Sequence, residues 1–590
     1  MEGEGPIELS HNALTVLQRR YLLRDPQGRT METPEGMFRR VAKCIAGVDR
    51  DYRDRDAQAE EEEFYAAMTS LAFLPNSPTL MNAGTKMQQL AACFVLPVED
   101  SIEAIFDAVK WAAVVHQSGG GTGFSFSRLR PSGDRVVSTG GVASGPLSFM
   151  RVFDVATEAV RQGGKRRGAS MGVLRVDHPD IVSFIHAKDP GEELANFNLS
   201  VAITDDFMDA VREVGEFTLR DPRTDQERTR LDAKALFTEI CSTAWAYGDP
   251  GVIFIDEMNR RNPTPQLGTI ESTNPCGEVP LLPFEACNLG SINLAKMVRP
   301  GANGPELDLD RLDAVVDMAI RFLDNVIDAG HYPLPQIEAM VRGNRKVGLG
   351  VMGFADVLIM MDIRYGTRDC LELIDKVMAR IDRKSKQASQ VIAESRGAFP
   401  NLEGSSVKEA RRNATLLSIA PTGTISIIAG CSSGIEPHYA FHMERHVLEG
   451  EELRETDPHF LQALARHRLD VGQVLSAMTG HTSVQDLDLI PDDMKRIFVS
   501  AHDVHPLDQV RVQAAFQEHV DNAVSKTINL RADASITDVA EAFTLAHDLK
   551  CKGITVYREG SKAGQVLTAS GHQECMACGR LGAIANSIPP

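Results

Sequence analysis

Cysteine is scarce in this sequence, with ten residues among 590, and the scarcity excludes a fold held together by disulfide bonds. Long hydrophobic runs are lacking as well, since no uncharged apolar stretch approaches the roughly 20 residues needed to cross a bilayer. The first six residues, MEGEGP, are acidic and do not resemble a secretory signal. These absences favour the cytoplasm, where cysteines are buried, catalytic or redox-active rather than bridged.

Positive charge is also in deficit. The chain has 62 Lys and Arg against 81 Asp and Glu, a net charge of −19, which argues against a surface that coats nucleic acid. Small phosphate ligands are not excluded, because backbone N–H groups and a few basic side chains hold them locally. With 43% hydrophobic and 24% charged residues, the composition indicates a globular protein with a very large core or several domains.

Hydrophobic periodicity divides the chain into three regions. Residues 1–75 predict a helical N-terminal region. In residues 76–560 short apolar runs alternate with long helical patterns, which is typical of an α/β fold with many parallel strands. Residues 561–590 are polar and small and predict a flexible tail. The clearest apolar runs are 252–255, 346–350 and 415–419, and the clearest helical patterns are 313–329, 367–396 and 534–549.

Residues 274–278 (NPCGE) bring three reactive groups close together in sequence, and Cys287 follows eleven positions after Cys276. In an extended segment, side chains at i, i+2 and i+4 point to one side, so Asn274, Cys276 and Glu278 would converge. An amide, a sulfur and a carboxylate together suggest redox or nucleophilic chemistry. The alternative is a loop with a buried cysteine beside a turn.

Two stretches rich in glycine or hydroxyl groups suit an anionic ligand. Residues 420–426 (APTGTIS) follow an apolar run and would present backbone N–H groups and hydroxyls at a helix start. Residues 74–80 (LPNSPTL) would add further hydroxyls. The stretch 420–426 is not a P-loop, because no Gly-Lys-Ser/Thr follows at the required spacing. A hydroxyl-rich turn that only caps a helix is the alternative for both.

Residues 162–170 (QGGKRRGAS) place three adjacent cations between glycines. Such a loop suits nucleotide phosphates or a base, and the alternative is an exposed basic turn.

Cys575 and Cys578 form a dithiol spacing near the end of the chain, with His572 three residues before it. A closed zinc site normally needs four ligands, and no second cysteine pair accompanies this one. An exchangeable thiol pair, a zinc site and an inert tail therefore all stay open, with the thiol pair favoured.

Together these segments resemble ribonucleotide reductase, and the similarity runs through most of the chain. The motifs that carry it occur in the order found in that family. They are residues 77–84 (SPTLMNAG), 93–96 (CFVL) before 99–102 (EDSI), 119–123 (GGGTG), 163–168 (GGKRRG), 274–278 (NPCGE), and 421–424 (PTGT) before 434–437 (GIEP). The resemblance implies a ten-stranded α/β barrel in residues 76–560, a helical region in 1–75, and a redox tail in 561–590.

The resemblance also implies catalytic roles. Cys276 resembles the cysteine that becomes a thiyl radical and takes the ribose 3′ hydrogen. Glu278 resembles the base for the 3′-hydroxyl proton, and Asn274 the amide that holds the ribose hydroxyls. Cys93 and Cys287 resemble the pair that supplies two electrons and closes to a disulfide after the 2′-hydroxyl leaves as water.

Binding roles follow from the same resemblance. Substrate phosphates would be held by Ser77, Thr79, Pro421, Thr422, Gly423, Thr424, Ile425 and Ser426. A deoxynucleotide effector that controls substrate choice would be bound by Asp100, Ser101, Ile102, Arg130 and Lys165. Cys575 and Cys578 resemble the tail dithiol that reduces the active-site disulfide and is recharged by a thioredoxin-like protein. The resemblance assigns no metal ligands.

The source of the radical distinguishes the classes within the family. A class I large subunit carries two adjacent tyrosines near its C-terminus, whereas residues 553–558 (GITVYR) hold Tyr557 alone. A glycyl-radical enzyme would need an Arg-Val-x-Gly-Tyr-like segment, which Gly579 and Gly582 lack. Residues 521–529 (DNAVSKTIN) and 551–561 (CKGITVYREGS) resemble class II, which uses adenosylcobalamin. That class binds the cofactor without an Asp-x-His-x-x-Gly motif, so its absence here is uninformative.

The sequence therefore predicts an adenosylcobalamin-dependent ribonucleotide reductase, acting on diphosphates, with nucleotide effectors, a thioredoxin-like reductant and a homodimeric assembly. A class I-like subunit that awaits a radical-generating partner is the rival enzyme. A catalytically silent nucleotide sensor on the same barrel is the rival from another class. The intact set of Cys93, Cys276, Cys287 and Glu278 argues against a sensor, which has no use for all four.

Overall fold

The computed structural model describes residues 7–136, 140–161, 168–189, 193–302, 304–447, 451–561 and 567–569. The chain divides into two compact units. The first comprises Met1–Glu436 with Val504–Ala563, and the second comprises Pro437–Asp503 with Gly564–Pro590. Within the described residues, no helix combines the length and the apolar character that a bilayer crossing requires.

The helices follow the predicted patterns closely: the structure places them at 309–329, 368–396 and 536–548, where periodicity indicated 313–329, 367–396 and 534–549. In chain order the helices are α1 His11–Val16, α2 Pro34–Ala46, α3 Asp49–Tyr52, α4 Ala57–Thr69, α5 Ser77–Asn82, α6 Ile102–Gln117, α7 Gly145–Arg161, α8 Ile181–Ile185, α9 Asp205–Glu213, α10 Ala233–Tyr247, α11 Ile255–Arg260, α12 Leu309–Ala329, α13 Pro335–Asn344, α14 Phe354–Met360, α15 Arg368–Arg396, α16 Ile425–Ala429, α17 Pro458–Arg466, α18 Val471–Ala477, α19 Asp492–Ile497, α20 Pro506–Glu518 and α21 Ile536–Asp548.

Most strands are short and lie between these helices. They are β1 Phe73–Pro75, β2 Cys93–Val95, β3 Gly121–Ser125, β4 Ser170–Arg175, β5 Phe197–Ile203, β6 Glu216–Arg220, β7 Glu227–Asp232, β8 Gly251–Phe254, β9 Ser272–Thr273, β10 Pro280–Leu281, β11 Ala286–Asn293, β12 Val298–Gly301, β13 Gly304–Leu307, β14 Val347–Met352, β15 His442–Val447, β16 Glu451–Thr456, β17 Thr527–Leu530, β18 Gly553–Arg558 and β19 Leu567–Ala569.

The N-terminal region is mainly helical, as predicted. Helix α2 begins where the Thr33 side chain accepts a hydrogen bond from the Gly36 N–H and Pro34 occupies the first turn. Its apolar face, which includes Met37, Phe38 and Val41, is fully buried. Helix α2 packs against α4 and α12, so the region is joined to the rest of the first unit by apolar contacts.

A ten-stranded barrel forms the centre of the first unit. Strands β2, β3, β4, β5 and β8 are parallel neighbours in that order. A second parallel set consists of β11, β14, the run 415–419, β17 and β18. Antiparallel pairs join the two sets, β11 with β2 and β18 with β8. The barrel predicted from the resemblance is therefore present.

The run 415–419 closes the barrel without forming a regular strand. Leu417 bridges Leu349 of β14, and Ile419 bridges Val524, which leads into β17. The Thr415 and Leu416 carbonyls also accept hydrogen bonds from β14. The predicted strand at 415–419 thus lies between β14 and the segment before β17 as isolated bridges.

The second unit is smaller. Strand β15 pairs with both β16 and β19 in an antiparallel arrangement. Helices α17, α18 and α19 belong to the same unit, and α17 begins where the Asp457 carboxylate accepts a hydrogen bond from the Phe460 N–H.

A buried cluster of charges joins helices α12 and α15 to the base of β14. Asp324 is fully buried and lies 2.9 Å from Arg345, 3.4 Å from Arg412 and 3.6 Å from Arg396. Burial opposes ionisation of the Asp324 carboxyl, but the guanidinium groups of Arg345, Arg412 and Arg396 together outweigh it and lower the pKa. The carboxylate therefore stays charged and holds three cations together.

Replacement of Asp324 with alanine should destabilise the protein by about 3–5 kcal/mol, because three buried guanidinium groups lose their shared partner. Urea denaturation at pH 7 measures the loss. Because the pKa of Asp324 is lower in the folded protein, its contribution to stability is complete above the ordinary aspartate pKa. It is lost as the pH falls through the folded-state pKa, so the difference in unfolding free energy between the two proteins should shrink in acid. Glu372→Ala, which breaks the exposed pair with Arg368, is the control and should change nothing measurable. Equal effects of both changes would contradict the prediction.

Candidate active site

The motif 274–278 lies at the tip of a short hairpin inside the first unit. Strand β9 pairs with β10, and the Gly277 N–H donates to the Asn274 carbonyl at 3.0 Å. Gly277 has φ +83°, a left-handed conformation that favours glycine. The extended conformation predicted for this segment is therefore wrong. A tight turn replaces it because Pro275 and Gly277 both suit turn positions.

The turn still gathers the predicted groups, and it is fixed by three neighbouring segments. The Asn198 amide donates to the Pro275 carbonyl at 2.8 Å. The Ser418 hydroxyl, at 2.9 Å, and the Ala523 N–H, at 2.8 Å, both donate to the Glu278 carbonyl. Cys276 is exposed at the tip, between the buried Asn274 and Glu278. The thiol is thus held in place while it remains accessible.

A cavity of about 280 Å³ opens in front of this turn. Its lining joins the hairpin to the barrel strands, to the start of α5 and to the loop before α16. The lining residues are Asn76, Ser77, Pro78, Ala92, Cys93, Gly120, Gly121, Ala169, Asn274, Pro275, Cys276, Glu278, Leu289, Gly290, Ser291, Ala420, Pro421, Thr422, Gly423, Thr424 and Ile425. Predicted catalytic and phosphate-binding residues therefore meet in one volume suited to a small polar ligand.

Cys93 and Cys287 lie directly opposite each other on β2 and β11. Directly opposed residues of antiparallel strands have Cα atoms about 4.5–5.5 Å apart, within the range that a disulfide spans. Neither is in a disulfide here, and Cys93 accepts a hydrogen bond from the Asn274 amide at 3.1 Å. Burial raises the pKa of the Cys287 thiol far above its usual range. The pair can close to a disulfide without moving its strands.

Six of the eight predicted phosphate-binding residues line the cavity: Ser77, Pro421, Thr422, Gly423, Thr424 and Ile425. No atom lies within 4 Å of the position that a Gly423 side chain would occupy, so a ligand can approach its backbone. The Ser77 hydroxyl hydrogen-bonds to Tyr21 at 2.7 Å, and Thr424 accepts a hydrogen bond from Arg20 at 3.4 Å.

Thr79 and Ser426 are not among the residues that line the cavity, and their role at a substrate phosphate stays a prediction. The Thr79 hydroxyl donates to the Leu90 carbonyl at 3.1 Å, and the Ser426 hydroxyl pairs with Ser433 at 3.0 Å. Both residues are fully buried. In this structure their hydroxyls hold in place the segments that carry Ser77 and Thr424.

The predicted effector residues form a separate cluster at the start of α6. The Arg130 guanidinium donates to the Asp100 carboxylate at 2.9 and 3.0 Å, which raises the pKa of Arg130. Ser101 caps α6 by accepting from the Ala104 N–H, and Ile102 is exposed. None of these four described residues is among those lining the cavity in front of Cys276. Lys165 lies outside the described residues.

Tyr557 lies in β18, and its neighbour Arg558 packs over the ring of Trp245 at 4.0 Å. Within the described part of the chain, the buried Tyr557 hydroxyl has no hydrogen-bond partner, and burial raises its pKa. The residue beside Tyr557 is therefore a cationic arginine, where a class I subunit would have a second tyrosine. Cys575 and Cys578 lie outside the described residues.

Sequence reasoning missed several residues of the site. Asn76 and Ser291 line the cavity, and each has a buried polar side-chain atom without a hydrogen-bond partner among the described residues. Asn76 could have been found, since an asparagine before Ser-Pro-Thr is a helix-capping signal, and its side chain does cap α5. Ser291 carries no local signal, because its position depends on the pairing of β11 with β1 and β14.

A larger cavity of about 500 Å³ lies at the carboxyl ends of β3, β4 and β5. It contains no cysteine among its lining residues, and its three arginines are paired, Arg128 with Glu271, Arg175 with Asp177 and Arg220 with Asp225. Thiol chemistry therefore belongs to the smaller cavity.

Comparison with known proteins supports the assignment of this barrel. The family model described as the ribonucleotide reductase barrel domain matches residues 91–411 and 406–557, and the all-alpha domain of the same family matches residues 7–88. The solved structure of the Actinobacillus ureae class Id ribonucleotide reductase alpha subunit has a TM-score of 0.76 and 21% identity, covering 95% of this chain and 99% of that one. The likeness to that structure shows the fold.

Curated relatives are closer in sequence. The vitamin B12-dependent ribonucleoside-diphosphate reductase of Thermoplasma acidophilum is 48% identical, covering 95% of this chain and 80% of the relative. A protein of the same name from Mycobacterium tuberculosis is 47% identical, covering 97% of this chain and 82% of the relative. The chain therefore belongs to the ribonucleotide reductase family, and the membership predicted from the motifs is confirmed.

Proposed function

We propose that the protein is a ribonucleotide reductase that converts ribonucleoside diphosphates to 2′-deoxyribonucleotides with adenosylcobalamin as its cofactor. One observation carries the proposal: an exposed cysteine at the tip of a fixed turn faces a cavity that also contains one member of a cross-strand cysteine pair. The names of the relatives from T. acidophilum and M. tuberculosis support the vitamin B12 cofactor and the diphosphate substrate.

The cavity allows a division of labour among its residues. Cys276, as a thiyl radical, removes the 3′ hydrogen atom of the ribose. Glu278 accepts the 3′-hydroxyl proton, and the Asn274 amide orients the hydroxyls. The 2′-hydroxyl leaves as water after protonation, and Cys93 and Cys287 supply two electrons and two protons as they form a disulfide. Cys276 then returns the hydrogen atom to C3′ of the product radical and is again a thiyl radical, so each turnover consumes one dithiol.

The surroundings of Cys276 fit a bulky cofactor. The thiol is exposed, and no atom lies within 4 Å of the position that a Gly277 side chain would occupy. Cys276 and Gly277 would face the cofactor, which supplies, when bound, the one-electron chemistry that makes the thiyl radical. Ser77 and the backbone of 422–425 would hold the substrate phosphates on the other side of the cavity.

The same proposal includes an effector site, an external reductant and a homodimeric assembly. The Asp100–Arg130 cluster, with Ser101, Ile102 and Lys165, would bind a deoxynucleotide effector. A thioredoxin-like protein would recharge Cys575 and Cys578, and the enzyme would act as a homodimer. In this scheme residues 1–75 form the helical region, 76–560 the catalytic barrel and 561–590 the redox tail.

An anaerobic assay tests the proposed function directly. A nucleoside diphosphate and a dithiol are incubated with the protein, with and without adenosylcobalamin, and deoxynucleotide formation is followed by chromatography. We expect product only with the cofactor. Product that forms only after a radical-generating metalloprotein is added would instead establish the class I-like alternative.

The tail cysteines give a second test. Because Cys93 and Cys287 are 4% and 1% exposed, a folded protein reductant cannot contact them directly. Replacing both Cys575 and Cys578 with serine should therefore stop repeated turnover driven by thioredoxin while sparing a single turnover of pre-reduced enzyme. The amount of product per enzyme is measured with thioredoxin and, separately, after pre-reduction alone. The first measurement reports repeated turnover and the second reports the single turnover. Unchanged thioredoxin-driven turnover would exclude the shuttle role.

A further inference from the structure

The two sulfurs of the redox pair differ in their access to the cavity. Among the described residues that line the cavity, Cys93 is present and Cys287 is not. The Cys287 thiol is 1% exposed and donates to the Asn288 carbonyl at 3.4 Å. Thiol–disulfide exchange requires the attacking thiolate to reach one sulfur, and the other sulfur then leaves as a thiolate. The accessible sulfur belongs to Cys93, so Cys287 is the leaving group.

A lysine lies beside that leaving group. Strand β11 is parallel to β14, with Asn288 opposite Val347. The preceding residues, Cys287 and Lys346, are therefore also neighbours and point to the same face. Lys346 directly precedes β14 and acts electrostatically on the Cys287 thiol, so Cys93, Cys287 and Lys346 form a row that runs from β2 across β11 to the start of β14.

Lys346 is buried, and its ammonium group has a defined partner. Its Nζ lies 2.7 Å from the Glu285 carboxylate, and the two side chains are 2% and 1% exposed. The Glu285 carboxylate also accepts hydrogen bonds from the Leu282 N–H at 2.7 Å and from the Asn344 amide. A buried ion pair is often no more stabilising than apolar residues of the same volume, so its presence beside a redox sulfur calls for a chemical reason.

The charges around Cys287 favour the lysine as a proton source. Burial makes the Cys287 thiolate unfavourable and so raises the thiol pKa; Lys346 opposes that shift, whereas Glu285 and Glu278 add to it. Burial lowers the pKa of Lys552 to about 7, and the positive charge of Lys346 adds to that shift. A thiolate formed at Cys287 therefore has one adjacent ammonium group and two nearby carboxylates, and proton transfer from the ammonium removes the unfavourable charge.

We propose that Lys346, held in place by Glu285, delivers the proton that Cys287 requires when the Cys93–Cys287 disulfide is reduced, and that Cys93 is the sulfur attacked. The proposal rests on the proposed function, in which this pair is oxidised in each turnover. Lys346 touches neither substrate nor cofactor and acts in the recharging step alone.

The exchange balances in two steps. A thiolate of the reducing dithiol attacks the Cys93 sulfur, the Cys93–Cys287 bond breaks, and Cys287 leaves with the electron pair and takes a proton from Lys346. The second thiol of the reductant then attacks its own sulfur in the mixed disulfide and expels Cys93, which takes a proton from solvent in the cavity. Lys346 regains its proton from solvent. The dithiol loses two protons and two electrons, and the two cysteines gain them.

The proton-delivery role is tested by the rate of disulfide reduction. The full-length protein is oxidised with diamide, without nucleotide or cofactor, and dithiothreitol is added at pH 7. Differential alkylation and mass spectrometry of the Cys93 and Cys287 peptides then give the rate. We expect Lys346→Met to slow reduction at least tenfold. Lys384→Met, which breaks a partly exposed pair with Asp317, should leave the rate unchanged.

A double variant separates proton delivery from a structural role of the ion pair. Lys346→Met alone leaves the buried Glu285 carboxylate without its cation. Lys346→Met combined with Glu285→Gln removes both charges, so the buried site is again neutral. We expect the double variant to reduce as slowly as the single one. Reduction at the unaltered rate in either variant would overturn the proposal.

The site of attack needs no variant. Oxidised, unaltered protein is treated with a small monothiol and quenched, and the mixed disulfide is located by mass spectrometry. We expect the adduct on Cys93, and an adduct on Cys287 would overturn the assignment. Because diamide makes the disulfide chemically, these results do not depend on nucleotide reduction. Failure of the unaltered protein to form deoxynucleotide would count against the proposed function alone.

Discussion

Replacing Cys276 with serine should abolish deoxynucleotide formation while leaving nucleotide binding intact. The exposed Sγ at the tip of the turn is the atom proposed to carry the radical, and an O–H bond is too strong to be opened in the same way. Removal of a group that forms the reactive intermediate costs about 10³-fold or more in rate. The change is isosteric at an exposed position, so we expect no effect on folding. Anaerobic product formation and binding of a labelled deoxynucleoside triphosphate measure the two properties.

Cys44→Ser is the matched control for that experiment. It exchanges the same atom at a half-buried cysteine of α2, which accepts a hydrogen bond from Gln88 at 3.0 Å. A serine oxygen can accept the same bond, so turnover should persist. If Cys276→Ser retained measurable turnover while Cys44→Ser behaved as expected, the radical role of Cys276 would be refuted.

Local sequence patterns predicted the regular elements well. The helices α12, α15 and α21 and the strands β8 and β14 fall where periodicity and apolar runs placed them. Each is long or strongly apolar, so local preference and tertiary packing agree. The closure of the barrel by the run 415–419 was less predictable, because it depends on bridges to Leu349 and Val524, which are distant in sequence.

At the site, residue identity was predictable and conformation was not. The motif 274–278 contains the right groups, but the turn at Gly277 depends on anchors at Asn198, Ser418 and Ala523. The orientation of hydroxyl groups was equally unpredictable. Thr79 and Ser77 are two residues apart, yet the Thr79 hydroxyl donates to the Leu90 carbonyl, whereas Ser77 lines the cavity. A sequence motif does not show which hydroxyl is already satisfied.

The pairing of Lys346 with Glu285 illustrates a further limit. Sixty-one positions separate the two residues; Lys346 begins the apolar run 346–350, and nothing local to that run or to Glu285 indicates a contact between them. Their contact arises because β11 and β14 are neighbours in the barrel. Proximity to Cys287 follows from strand register, which is a property of the whole barrel and of no single segment.

Gly123 offers a way to disturb the catalytic turn without touching any reactive group. It lies in β3, and a side-chain carbon at this position would be 1.9 Å from the Thr273 carbonyl oxygen, which belongs to the hairpin that carries Cys276. Cβ atoms essentially never approach closer than 3.0 Å. An alanine at position 123 must therefore push β9 away by about 1 Å, since backbone atoms cannot rotate aside as a flexible side chain does.

We expect Gly123→Ala to lower turnover by about 10²-fold or more, because a displacement of about 1 Å in a positioned reactive group has costs of that size. Gly215→Ala is the matched control: its nearest neighbour, the Ala210 carbonyl oxygen, would lie at 3.8 Å, an ordinary contact. Turnover under anaerobic conditions and circular dichroism of both variants separate a displaced hairpin from a loss of fold. Cys276 would remain chemically intact in Gly123→Ala, so alkylation of its thiol should persist while turnover is lost. Turnover within twofold of the unaltered protein would show that the hairpin tolerates the displacement. It would contradict the view that activity depends on the barrel holding Cys276 in one fixed position.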